Sequence, residues 1–361
     1  MAKRKQRRDE FQDISSYSSK QAYKKNQKKK KRTGLKVFLS FICVILVLVG
    51  DVMIYASTVL LGDLKTTTIT KDKTELGISE ETKSEAGITN IALFGVDARD
   101  YDGGTFAGRS DAIMVMSIDN VHHKVKLTSI MRDVRVYMGD GSPYDSGYDK
   151  LNHAYMYGGP EQAIRTINQN FGLDIQDYVT VNFSAMAKIV DAFGGVNIDL
   201  TEDEVSEINK NMYALAAESP ESMAGDVSTY APLSAGEGVL LNGDEAVAYG
   251  RIRAIDNDNG RVERQQEVLS ALLSKASSIS KLEYPSIIQQ LAPLCETSLT
   301  FDKMIGLAQI ALTGFDIERL SIPSDVEGYA SDYCEGGGWM WTYDTDVAAQ
   351  HIHEFIYEDE N

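Results

Sequence analysis

Hydrophobic and polar positions divide the chain into an apolar front, a polar spacer and a long patterned remainder. Residues 37–50 (VFLSFICVILVLVG) carry no charge, and apolar character resumes after Asp51 as far as residue 62. A helix needs about 20 apolar residues to cross a bilayer core. Asp51 would sit close to the far interface, where an acid costs much less than at the centre. One transmembrane helix is expected within residues 37–61. A cleaved signal peptide would have a shorter core and a small-x-small site, and none stands out. Residues 62–87 are rich in Thr, Lys and Glu without periodic apolar positions, which reads as a linker.

Order is expected from residue 88. The runs ITNIALFGVD (88–97), AIMVMSID (112–119) and KVKLTSI (124–130) read as buried strands, the last two joined by a short hairpin link. Residues 160–171 show helical spacing between Gly158-Gly159 and Gly172. DYVTVNF (177–183) reads as a strand, 184–193 as a helix closed by Gly194-Gly195, and VNIDL (196–200) as a strand. The acidic stretch 201–235 is expected to be a helical or loop insertion. Helices follow at 243–253 and 261–280, with a two-piece helix at 284–312. A strand at 318–323 and a helix at 344–357 close the chain. Strands alternating with helices predict an α/β fold, an α-β-α sandwich with a central mixed sheet.

Charge changes the picture. Residues 1–36 hold 14 Lys and Arg against 3 Asp and Glu, and the remaining residues hold 22 against 50. A basic tail directly before an apolar span stays cytoplasmic. The expected arrangement is therefore a cytoplasmic tail (1–36), a single-pass membrane anchor (37–61), a linker (62–87) and an extracellular domain (88–361). An acidic domain is a poor nucleic-acid binder, and no nucleic-acid partner is expected. Two cysteines beyond the anchor, Cys295 and Cys334, suggest one disulfide in an oxidising compartment.

Beyond the tail only ten arginines occur, and eight fall in two stretches: Arg99, Arg109, Arg132 and Arg135, then Arg251, Arg253, Arg261 and Arg264. Arginine offers bidentate phosphate recognition with a charge that never titrates away. Asp97 ends one predicted strand and Asp111 opens the next, placing both at one sheet edge. Paired carboxylates beside a pyrophosphate suit Mg²⁺. Taken singly, each of these is as well read as a turn, a cap or a solvated charge; only the joint pattern points to phosphate. His122, His123 and His153 read as structural or exposed.

Five segments resemble the LytR–CpsA–Psr family in order and spacing: NIALFGVDAR (90–99), GRSDAIMVMSID (108–119), TSIMRDVRV (128–136), DKLNHAYMYGGPEQAIRTI through VDAFGGVNIDL (149–200), and LNGDEAVAYGRIR with GRVERQQ (241–266). The resemblance spans about residues 88–273, with 274–361 read as the rest of the same fold. It implies a membrane-anchored phosphotransferase that moves a glycopolymer, such as teichoic acid or capsule, from polyprenyl pyrophosphate onto peptidoglycan. It implies Mg²⁺ on Asp97 and Asp111. It implies a pyrophosphate clamp of Arg109, Arg132, Arg251, Arg253, Arg261 and Gln265, with Asp97, Asp111, Arg109 and Arg132 carrying the chemistry. The prenyl tail is expected in an apolar channel lined by strands 91–96, 112–118 and 178–183 and helices 161–171, 184–193 and 262–276. One departure stands out: Met131 replaces the usual proline before Arg132, which is expected to loosen that loop. A polyprenyl-pyrophosphate pyrophosphatase would use the same residues, and a non-enzymatic envelope sensor is the other alternative.

Overall fold

Alternation along three consecutive apolar runs builds the centre of a seven-stranded sheet. The computed structural model describes residues 65–96, 108–218, 232–278, 290–300, 315–333 and 338–358, with 287, 303–304 and 307 as isolated points. All of them belong to the second of two units into which the chain divides, Leu60–Asn361. The expected tail and anchor lie outside the described residues. Among the described residues no helix is long and apolar enough to cross a membrane.

Strands β1 (Lys65–Thr66), β2 (Ile88–Val96), β3 (Ser110–Asp119) and β4 (Lys124–Ile130) come first. Strands β7 (Asp177–Asn182), β10 (Glu296–Thr297) and β11 (Asp316–Ile322) complete the sheet in the order β1-β10-β7-β2-β3-β4-β11. β2 pairs antiparallel with β3 and parallel with β7, so the sheet is mixed, as expected. Small ribbons flank it: β5 (Arg135–Tyr137) with β6 (Tyr148–Lys150), β8 (Val196–Leu200) with β9 (Gly236–Leu241), and β12 (Ala330–Tyr333) with β13 (Trp339–Thr342).

The period-2 alternation of β2 and β3 sorts side chains between two layers. Phe94, Val96, Ile113 and Val115 face one core, shared with helices α1 (Leu151–Phe171) and α6 (Thr345–Tyr357). Leu93, Gly95, Ala112 and Met114 face the other layer, built from α2 (Phe183–Ala192), α4 (Gly243–Gly250) and α5 (Asn257–Ser278). α2 starts at Asn182, whose side chain accepts from the Ala185 amide, and α4 starts with an Asn242–Glu245 capping box. α1 breaks at Gly158 and Gly159, the latter at φ 65°, ahead of Pro160. The expected 160–171 helix is its second half.

Two expectations change, for 67–87 and 284–312, while the acidic stretch, expected as helix or loop, is a helix over Glu202–Glu218. Residues 67–87 do not form a free linker. Ile69, Leu76 and Ile78 are buried in the α1 core, and Asn168 Nδ2 donates to the Leu76 carbonyl at 2.9 Å. The acidic insertion contains α3 (Glu202–Glu218), which buries Val205, Ile208, Met212 and Leu215 at helical spacing; residues 219–231 lie outside the described set. Within 284–312 the chain forms a short 3-10 turn at Ala292–Leu294 and then β10, so the second helical piece does not begin where expected. Cys295 joins these two elements as a free thiol. Its apolar surroundings push the thiol up to about 11. Cys334 lies outside the described residues.

α2 and α4 approach closely at Gly243, where an added Cβ would fall 2.0 Å from the Ala187 carbonyl oxygen. Backbone cannot yield as a flexible side chain does. Gly243→Ala should therefore cost about 3 kcal/mol of stability, measured by urea unfolding; a loss under about 0.5 kcal/mol would mean the helices separate freely.

Candidate active site

The candidate site begins where β2 ends, β3 opens and β4 leaves the sheet. Register shifts between Gly95 and Val96, and Val96 pairs with Ser110, placing Asp111 at the edge. Arg132, just beyond β4, reaches back to it. Its Nη1 lies 2.6 Å from Asp111 Oδ1 and its Nε donates to Asp133 Oδ2 at 3.0 Å. Lys150 Nζ donates to Asp133 Oδ1 at 2.9 Å. The loop carrying Arg132 is held from both sides. Amides of Leu151 and Asn152 donate to the carbonyls of Val134 and Arg132, each at 3.0 Å. Met131 is buried, and its amide donates to the Ile322 carbonyl at 2.8 Å. A proline there could not make that bond. The expected loosening by Met131 is reversed: methionine ties this loop to β11.

A second network starts one residue before Lys150. Asp149, whose side chain is 2% exposed, accepts from His153 Nδ1 at 3.0 Å and from the Tyr157 hydroxyl at 2.7 Å. Its position beside α1 places these partners four and eight residues on, along one helix face. Burial alone would raise the Asp149 carboxyl. Hydrogen bonds from His153, Tyr157 and the Lys150 amide outweigh it and hold the group below 3.8. His153 is thus neither exposed nor idle, but fixed with hydrogen on Nδ1. Arg109, exposed at the surface, lies close enough to act electrostatically on Tyr157. A carboxyl depressed in the folded state contributes stability that is complete above pH 3.8 and drains as pH falls through the folded value. Acid unfolding followed by circular dichroism down to roughly pH 2 should therefore be less steep in Asp149→Asn than in the parent. Parallel curves would refute the linkage.

The second arginine stretch sits at the end of α4 and along α5. Arg251 is the C-cap of α4 and stands over the Phe183 ring at 5.4 Å. Arg253 is exposed and Arg261 is buried on α5. Gln265 Nε2 donates to the Gly250 carbonyl at 3.3 Å. Two arginines grouped with these by sequence serve elsewhere. Arg264 is locked between Asp256, at 2.9 and 2.6 Å, and Glu204 at 3.0 Å, and its ionisation is pushed further up by those carboxylates. Arg135 stacks over Tyr148 at 3.7 Å on the β5–β6 ribbon. Asp97 and Arg99 lie outside the described residues.

A cavity of about 320 Å³ lies between the sheet and helices α2, α4 and α5. Its wall runs from Gly95 and Ala112 on the sheet to Val181 and Met186, and on to Gly250 and Gln265. Asp111 and Arg251 each stand one residue along the chain from a lining residue, Ala112 and Gly250. The lining is apolar apart from the amides of Asn182 and Gln265 and the thiol of Cys295. The lining differs from expectation in one layer. Helix 161–171 packs on the opposite face of the sheet, while Ala246, Val247 and Gly250 of α4 close the cavity instead. Asp133, Lys150, Asp149 and Tyr157 are not singled out from sequence: Asp133 lies in TSIMRDVRV and the others in the segment that begins DKLNHAYMY, both read only as family segments.

Comparison with known proteins agrees with this fold. A Bacillus subtilis relative, TagT, named a polyisoprenyl-teichoic acid–peptidoglycan teichoic acid transferase, is 27% identical over 313 residues, 83% of this chain and 91% of its own length. TagU of Bacillus mycoides, bearing the same activity name, is 30% identical over 287 residues, 78% and 82% of the two chains. Among solved structures, TagT with bound octaprenyl pyrophosphate lipid superposes with a TM-score of 0.56 at 21% identity, covering 80% of this chain and 99% of that one. The sequence profile of the LytR_cpsA_psr family matches residues 53–355, and the chain belongs to that family.

Proposed function

We propose that this protein transfers a glycopolymer from polyprenyl pyrophosphate to a peptidoglycan hydroxyl, forming a phosphodiester. The observation that carries the reading is an apolar cavity of about 320 Å³ whose lining includes Gln265 and the chain neighbours of Asp111 and Arg251, Ala112 and Gly250. A prenyl chain needs a dry slot, and a pyrophosphate needs converging guanidinium groups. Relatives named as teichoic acid transferases support the same reaction and teichoic acid as a polymer class.

The chemistry follows from charge. The acceptor oxygen forms a bond to the sugar-bearing phosphorus, the bond to the lipid phosphate breaks, and the hydroxyl proton must leave to a base. Arg109, Arg132, Arg251, Arg253 and Arg261 would orient the pyrophosphate and offset charge as it gathers on the leaving phosphate. Asp111, its Oδ1 held by Arg132, would accept the proton, with Asp97 the other candidate.

Mg²⁺ belongs to the same proposal. Asp111 offers a hard carboxylate oxygen, the donor type this ion takes, and the family resemblance pairs it with Asp97. Among the described residues no group of three or more His, Cys, Asp or Glu gathers as a metal cage. The fit is to an ion that arrives with phosphate oxygens, and when bound it would add charge neutralisation at the pyrophosphate. Anchoring by residues 37–61, with the domain outside the cell membrane, is also part of the proposal and rests on the hydropathy and charge of the front end.

The test is product analysis with purified protein, polyprenyl-pyrophosphate-linked glycopolymer and peptidoglycan. Covalent polymer on peptidoglycan is expected. Release of free glycan phosphate regardless of peptidoglycan would make the protein a pyrophosphatase. No turnover of the lipid would leave the sensor reading.

A further inference from the structure

Both tryptophans of the chain, Trp339 and Trp341, lie on β13. Register sets Tyr333 opposite Trp339 and Ser331 opposite Trp341. Alternation then puts these four on one face of the ribbon and Met340, 2% exposed, on the other. Trp341 packs edge-on between Trp339, with centroids 4.7 Å apart, and Tyr329, 5.1 Å away. Tyr333 is 76% exposed, so the aromatic row ends in solvent.

The row is joined to the charged site. The Trp341 amide donates to the Asp133 carbonyl at 2.9 Å. Lys150 Nζ stands 5.8 Å from the Trp339 ring centroid while it binds Asp133, the residue that also holds Arg132. Aromatic faces thus begin one side chain from the arginine that neighbours Asp111.

We infer that this ribbon is a subsite for a pyranose ring of the acceptor glycan. A pyranose presents C–H groups on its faces and hydroxyls around its edge. Aromatic rings cover the first and polar neighbours such as Ser331 meet the second. The inference rests on the transferase reading and says which substrate this end of the site holds. The donor already has the apolar cavity and the arginines. The acceptor has neither a lipid nor a pyrophosphate, so its affinity must come from sugar contacts.

Tryptophan fluorescence of the full-length protein, excited selectively over tyrosine, comes from Trp339 and Trp341 alone. Titration with a soluble oligosaccharide of alternating N-acetylglucosamine and N-acetylmuramic acid should give a saturable change. Tyr333→Ala, at an exposed position that folding does not need, should weaken that binding about tenfold. In transfer assays Tyr333→Ala and Trp339→Ala should raise KM for peptidoglycan and not for the lipid donor. A parent protein that forms conjugate while its fluorescence ignores the glycan overturns the subsite and spares the transferase reading. A rise in donor KM instead assigns the ribbon to the donor and also overturns it. If no conjugate forms at all, the function reading fails, and glycan binding by fluorescence still decides the ribbon.

Discussion

Arg132→Ala should lower transfer by two to four powers of ten while the protein stays folded. The guanidinium lies 2.6 Å from Asp111 and 3.0 Å from Asp133. Those carboxylates are only 17% and 11% exposed, so their charge is poorly screened by water. Removing the arginine leaves Lys150 on Asp133 and places an uncompensated Asp111 where a pyrophosphate must approach. Each lost charge-assisted bond to phosphate is worth about 1.5–3 kcal/mol, and about 1.4 kcal/mol is a factor of ten. Arg132→Lys keeps the charge and loses the fork, so it should recover only part of the rate. Arg264→Ala supplies the contrast. That side chain pins α5 to Glu204 and Asp256, so its loss should lower the melting temperature and leave the donor KM in place. Turnover by Arg132→Ala within tenfold of the parent would remove it from the clamp.

That contrast shows where sequence reasoning reached its limit. Arg132 and Arg264 look alike in a string of residues, and both stand in family segments. What separates them is Glu204, sixty positions away on a helix hidden in an acidic stretch. The strands were easier. β4 falls on Lys124–Ile130 as expected, because its apolar run is bounded by turn residues. β2 and β3 are apolar on both faces, and alternation alone does not say which face is packed and which leaves space. The answer lies in small residues that meet only in three dimensions: Gly95 opposite Ala112, with Ala246 and Gly250 across from them. Residues 67–87 failed for a related reason. Leu76 and Ile78 are too few to make a period, yet α1 offers Asn168 to hold the backbone there.

His153 shows a recoverable signal. Asp149, His153 and Tyr157 are spaced as one face of a helix, but Asp149 belongs to β6 and helix geometry starts at Leu151. The predicted helix began at Pro160, so that spacing went unread. The pairing of Asp133 with Lys150 crosses a ribbon and leaves no periodic trace at all.

Filling the cavity should be as damaging as removing the clamp, and through a different constant. Ala112 points into the cavity from β3, and its partner across the ladder is Gly95, which has no side chain to compete for the space. Ala112→Phe would set a benzyl group into the cavity, one residue along the chain from Asp111. A prenyl tail would then lose contact for roughly one five-carbon unit. At about 0.8 kcal/mol per buried methylene, that is ~3–4 kcal/mol, or a few hundredfold in donor affinity. The loss should appear as a raised donor KM. A short-chain donor whose tail ends before the obstruction should be affected least, because it gives up the least burial. Ala112→Val, which adds two methyl groups near the wall, should fall between the parent and Ala112→Phe. Equal donor KM in all three proteins would show that the lipid does not enter between sheet and α5, and the apolar space would need another occupant.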